Sequence, residues 1–165
     1  MSTADHPLPD DLQAEILALA RAEPHPRSAC VAALQRVQSR YRWISTHHLR
    51  DVARLLDMSP DDLDGIATCF NLLFRKPVGR HVILLCDSIS CWIMGRDHLC
   101  DHLCRTLAIR PGETTEDGAI TLLPTVCLGH CDHAPAMLVD DTLCGDVDLP
   151  MLARLTDTLT EEPPP

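Results

Sequence analysis

His81-Val82-Ile83-Leu84-Leu85-Cys86-Asp87-Ser88-Ile89-Ser90-Cys91-Trp92 decides how the chain folds, because it passes within one residue from strand text to loop text. Residues 81 to 85 are a short apolar run after the turn signal Lys76-Pro77-Val78-Gly79, so they predict a buried strand that delivers Cys86 at its end. Cys91 follows with four residues between. A second passage, Thr125-Val126-Cys127-Leu128-Gly129-His130-Cys131-Asp132-His133, repeats the arrangement with three residues between its cysteines. Each pair lies just beyond a strand-like run, and a helix-length insert separates them. The fold can therefore bring four thiols to one place, and four thiolates together make a metal or iron-sulfur site.

Spacing alone leaves two chemistries open. Tetrahedral zinc accepts four thiolates, but zinc ribbons usually close with two residues between cysteines. The wider loops here favour a two-iron cluster, in which each pair chelates one iron and leaves room for bridging sulfides. A redox disulfide is disfavoured because neither pair has the Cys-x-x-Cys form. Cys100 and Cys104 stand one helical turn apart beside Leu99 and Leu103 and read as small apolar core residues. Cys30 and Cys69 sit in helical text, and Cys144 reads as a late loop residue.

The rest of the chain frames that site. At 165 residues it is ample for one core and marginal for two small domains. With 45% hydrophobic but only 3% aromatic residues, the core must be built from Leu, Val, Ile, Ala and Cys. A formal charge of −10 argues against nucleic-acid binding, which needs a basic stripe, and points instead to protein partners. Met1 to Gln13 carry neither a basic start with an apolar stretch nor Arg-rich transit text, and the apolar runs are too short for a bilayer. The sequence thus predicts a cytosolic chain without direct membrane insertion. In that compartment nine cysteines, an odd number, read as thiols and ligands and not as disulfides.

The organisation changes once, near residue 75. Before it, Leu12-Ile16-Leu19, Val31-Leu34-Val37 and Leu49-Val52-Leu56 fall at helical spacing. Ser45 or Thr46 can cap the third helix, and Ser59-Pro60-Asp61-Asp62 opens a fourth that Gly65 is expected to interrupt. After it the order is β-α-β-β-α. The strand at 81–85 is followed by a helix over 96–108 that Pro111-Gly112 stops, strands at 119–123 and 136–139, and a last helix capped by Asp148. The fold class is α+β: a helical domain at 1–75, a mixed domain at 76–160, and a frayed tail at 161–165.

The text ATCFNLLFRKPVGRHVILLCDSISCW, then LLPTVCLGHCDHAPAMLVDD, resembles the thioredoxin-like 2Fe-2S ferredoxin subunits of bacterial NADH:quinone oxidoreductase, respiratory complex I. VQSRYRWIS followed by LLDMSPDDLDGIATCF matches that family's order of parts, so the resemblance covers nearly the whole chain. It implies a thioredoxin-like domain after a small helical bundle. It also implies one 2Fe-2S cluster on Cys86, Cys91, Cys127 and Cys131 that exchanges single electrons with FMN on a partner flavoprotein. NADH would bind that partner, and no nicotinamide or quinone site is expected on this chain, which lacks a Gly-x-Gly-x-x-Gly fingerprint. Further complex I subunits would complete the assembly on the cytoplasmic side of the inner membrane. A diaphorase subunit of a NAD-reducing hydrogenase or NAD-dependent formate dehydrogenase is the alternative. A zinc-stabilised interaction module is the reading from another class.

Some positions depart from the commoner family text. Val126 stands where many relatives carry an acid, Cys69 replaces an aromatic, and His130 and His133 are unusual neighbours of the fourth cysteine. Asp87 and Asp132 directly follow ligand positions and would lower the cluster's potential if they faced it; protonated His130 and His133 would oppose them. His98 and His102 could chelate a metal but lie among Asp97, Asp101 and Arg105 on a solvated face. His47-His48 reads as a helix start, and Trp43 and Trp92 as buried or interface residues. Arg75, Lys76 and Arg80 form the one basic cluster, and Pro135 stands where thioredoxin-like folds often hold a cis proline.

Overall fold

Asp148, Ser45 and Ser59 each stand one residue before a helical stretch, and each is an N-cap whose side-chain oxygen accepts a backbone N–H of the first turn. The computed structural model that shows this describes residues 7–161 of the chain. Residue 161 closes the last helix; the remainder of the expected frayed tail lies outside the described residues.

Two compact units meet between Pro77 and Val78, two residues beyond the expected break at 75/76. The first unit holds α1 (Asp10–Ala22), α2 (Cys30–Tyr41), α3 (Thr46–Leu55) and α4 (Pro60–Cys69), with a 3-10 turn at Pro26–Ala29. Leu12 and Ile16 of α1, Leu34 and Val37 of α2, Leu49 and Val52 of α3 and Leu63 of α4 share one core. Each such leucine or valine contributes about 1.5–3 kcal/mol by leaving water. α4 runs unbroken through Gly65, against expectation: one glycine costs a helix only about 1 kcal/mol, and nothing there forces a turn. His47 and His48 lie in the first turn of α3, as the sequence reading has them. His48 is fully buried and tilts against Tyr41 at 4.2 Å. Asp51, also buried, accepts the Leu8 N–H at 3.2 Å and pairs with Arg54 at 3.1 Å. The Arg75 guanidinium is engaged within this unit, by Asp64 at 2.7 Å and by the Ile44 carbonyl.

The second unit is a four-stranded sheet with helices. Its strands are β1 (His81–Cys86), β2 (Ile120–Thr125), β3 (Met137–Val139) and β4 (Thr142–Cys144), in the order β2-β1-β3-β4. β1 and β2 run parallel, Cys86 opposite Thr125, while β3 runs antiparallel to β1, Leu85 opposite Met137. The crossover between β1 and β2 carries α5 (Ile89–Ile93) and α6 (Arg96–Leu107), and α7 (Leu149–Glu161) follows the sheet. Ile83, Leu85, Leu103, Ile120, Leu122 and Leu152 lie in its core.

Three readings change here. α5 is a helix of five residues inside what the sequence presents as a ligand loop. β2 extends two residues beyond 123, through Pro124 to Thr125. Cys144 lies on β4, a strand that forms a hairpin with β3 across Asp140-Asp141, and not in a loop. Among the described residues, no helix is long and apolar enough to cross a membrane.

Candidate metal centre

Strand direction alone gathers the four cysteines. β1 and β2 are parallel, so the residues that follow Cys86 and those that follow Thr125 emerge at the same end of the sheet. β3 is antiparallel to β1, so the residues that precede Met137 start from that end as well. Cys86 closes β1, Cys91 lies on α5 just after it, Cys127 follows β2, and Cys131 opens a 3-10 turn at Cys131–His133 before β3. This is the carboxyl edge of parallel strands, where α/β sheets commonly build their sites.

The two halves differ in setting. Cys86 and Cys91 are each 1% exposed and pack with Ala134 and Ala136, whereas Cys127 and Cys131 are exposed. Burial pushes the Cys91 thiol above its ordinary value, and a hydrogen bond with Cys86 adds to the effect. Cys127 moves the other way. The Gly129 amide donates to its sulfur at 3.4 Å and the Cys131 sulfur lies within hydrogen-bond reach at 3.3 Å, so charge on Cys127 is favoured. The same contact raises Cys131. Gly129 has φ +77°, a conformation that suits glycine and lets its N–H face the sulfur.

Contacts also cross between the halves. The Ser88 hydroxyl lowers the pKa of the Cys127 thiol and the Ser90 hydroxyl that of Cys131, and Cys86 acts on both as well. The sequence reading gave these two serines no part in the site. Among the described residues no three His, Cys, Asp or Glu side chains form a site for one metal ion. Four mutually interacting thiols disposed as two pairs fit a two-iron cluster, which takes one pair per iron, better than a single zinc ion.

The neighbouring charges are mostly engaged. Arg96 reaches Asp87 at 3.4 Å and Asp97 at 3.0 Å. His133 Nδ1 meets Asp146 Oδ2 at 2.7 Å, and this hydrogen bond holds the imidazole's pKa above its ordinary value. His130 lies over His133 with ring centroids 4.7 Å apart. The His130 ring and the His133 Cβ both crowd Gly145, where an added Cβ would come within 2.6 Å of His130 Nε2 and of His133 Cβ. The Asp146 amide donates to the His133 carbonyl at 2.7 Å, and the Val147 amide to that of Pro135 at 3.0 Å, fixing the second loop to the segment after β4. The Ala134–Pro135 peptide is cis.

Other sequence candidates lie apart. Cys100 is buried in the core of the second unit with Cys104 packed against it, His98 is exposed, and Trp43 is half-buried. Trp92 is not buried. It stands 57% exposed with Ile89, Ile93 and Met94 on the same short stretch, and Val126 beside Cys127 is exposed too. Together they form an apolar fringe beside the two cysteine pairs.

Residues 16–160 match the thioredoxin-like [2Fe-2S] ferredoxin family. A subunit of the NADH-quinone oxidoreductase of Pseudomonas aeruginosa is 40% identical over 132 residues, which cover 80% of each chain. The like-named proteins from Salmonella typhimurium and Escherichia coli K12 are 44% identical over 116 residues, 70% of each chain. Among solved structures, an NAD+-reducing [NiFe]-hydrogenase superposes with a TM-score of 0.71 at 26% identity over 82% of this chain. The matched region is 23% of that hydrogenase chain.

Proposed function

The chain belongs to the thioredoxin-like [2Fe-2S] ferredoxin family, and from that premise we propose that it is the ferredoxin-type electron-transfer subunit of an NADH-quinone oxidoreductase. It holds one 2Fe-2S cluster on Cys86, Cys91, Cys127 and Cys131. The observation that carries the assignment is the meeting of those thiols from two loops at one sheet edge. Bound there, the cluster supplies one-electron storage and release.

The chain's own residues set the conditions for that chemistry. Cys86 and Cys91, sealed by Ala134 and Ala136, exclude water from one side of the site. The Gly129 amide and the Ser88 and Ser90 hydroxyls direct donor hydrogens at sulfur, offsetting negative charge on the thiolates. Cys127 and Cys131 keep the other side open toward a partner. Ile89, Trp92, Ile93 and Met94 offer that partner an apolar seat next to the open side. In our reading the partner is the FMN- and NADH-binding flavoprotein subunit, and the hydride chemistry of NADH stays on it. The protein works on the cytoplasmic side of the inner membrane through the complex.

The hydrogenase superposition supports the second reading, an equivalent diaphorase subunit, since the same domain serves within an NAD+-reducing enzyme. Anaerobic purification of the intact tagged chain from its host tests both. The expected product is brown, bleaches on reduction, gives a 2Fe-2S paramagnetic signal and brings with it an NADH-oxidising FMN protein. A colourless zinc protein would overturn the cluster. A co-purified hydrogenase would move the chain to the second reading.

A further inference from the structure

Arg96 breaks two rules at once. It is the first residue of α6, where the helix dipole disfavours a cation, and its side chain is only 14% exposed, with Nε buried and lacking a hydrogen-bond partner. Residues that violate local rules usually serve a site. What compensates Arg96 is a pair of acids. Burial opposes its charge, but Asp97 and Asp87 outweigh that and hold the guanidinium above its ordinary pKa.

Asp87 is the residue that matters. It follows Cys86 directly, and its amide donates to the Thr125 carbonyl at 2.8 Å, so it is fixed where β1 and β2 end. The ion pair with Arg96 also joins the two ends of the segment that carries Cys91. We propose that Arg96 is a positioning residue for the iron-sulfur site: it neutralises the acid beside Cys86 and closes the Cys86–Cys91 loop, keeping the cluster easier to reduce. The proposal rests on the four-cysteine reading above.

The test is a charge cycle in the intact, cluster-loaded chain, with midpoint potentials read by paramagnetic resonance during redox titration. Asp87 is 56% exposed, so its field is screened. Removing its counter-charge in Arg96→Gln should make reduction roughly threefold to tenfold less favourable, the upper limit being about 59 mV for one electron. Asp87→Asn should shift the potential upward, the double variant should return close to wild type, and Arg96→Lys should retain most of the wild-type value. If Arg96→Gln does not assemble, Asp87→Asn decides alone. An unshifted Asp87→Asn, or a double variant as displaced as Arg96→Gln, overturns the proposal. Absence of a 2Fe-2S signal in the wild-type chain would instead overturn the four-cysteine reading.

Discussion

In the proposed site the loop carrying Cys86 and Cys91 and the loop carrying Cys127 and Cys131 would do the same chemical work from opposite physical circumstances. The first is continuous with the core. Cys86 donates its amide to Ala136 at 3.1 Å while still in β1, and both thiols are 1% exposed. The second is hung on the surface, with both thiols exposed and its fold held by Gly129, the His133–Asp146 pair and the close fit over Gly145. The difference assigns two tasks. In the proposed site the buried loop would fix where the cluster sits, and the exposed loop what it faces.

The largest expected effect separates those tasks. Cys91→Ser and Cys127→Ser should both abolish the visible absorption of the cluster, because each leaves one iron short of a ligand. They should part in the cluster-free chain. Cys91→Ser places a hydroxyl in a sealed site and should destabilise folding by about 1–3 kcal/mol. Cys127→Ser exchanges one exposed polarizable atom for another and should unfold with the wild type. Thermal melts of both apo variants check this, and equal midpoints would erase the distinction between the loops.

A smaller effect addresses what holds the exposed loop. Gly145→Ala drives a methyl group toward both histidines, an overpacking worth about 1–3 kcal/mol, and it should reduce cluster occupancy after reconstitution although no ligand is touched. Gly65→Ala is the counterpart in the first unit. Nothing lies within 4 Å of its added Cβ, so it should stabilise α4 by about 0.4–1 kcal/mol. Iron content and thermal midpoint read both changes. A Gly145→Ala chain with full occupancy would show that the loop is positioned by its ligands alone.

The two loops were also unequally legible. A run such as His81 to Leu85 ending in cysteine announces a buried strand from local text, and helical spacing announced α1 to α3 and α6. α5 did not announce itself, because five residues between two ligands carry too little periodicity to distinguish a helix from a turn. β4 is three residues long, with Thr142 and Leu143 exposed, and exists through its pairing with β3. The burial of Asp51 and His48 depends on neighbours from other helices, which no stretch of sequence displays. At the candidate site the two cysteine pairs were plain in the text, but the partners of the charges were not. Arg96 meeting Asp87 and Asp146 meeting His133 join residues nine and thirteen apart, and the chain turns that bring them together come from tertiary structure.

The smallest effect compares those two ion pairs. Asp146→Asn removes the charge facing His133 while leaving an amide of the same shape, so the apo chain should lose only a little thermal stability, less than with Gly145→Ala. His133 and Asp146 are 49% and 72% exposed, and ions reach them freely. At about 1 M salt the screening length falls to roughly 3 Å, so the wild-type and Asp146→Asn melting curves should converge there. Arg96 is far more enclosed, and the stability difference made by Arg96→Gln should survive the same salt. A salt titration of both variants measures the contrast directly. If the Asp146 effect persists undiminished, the exposed loop is clamped as firmly as the buried one, and the division of labour between them fails.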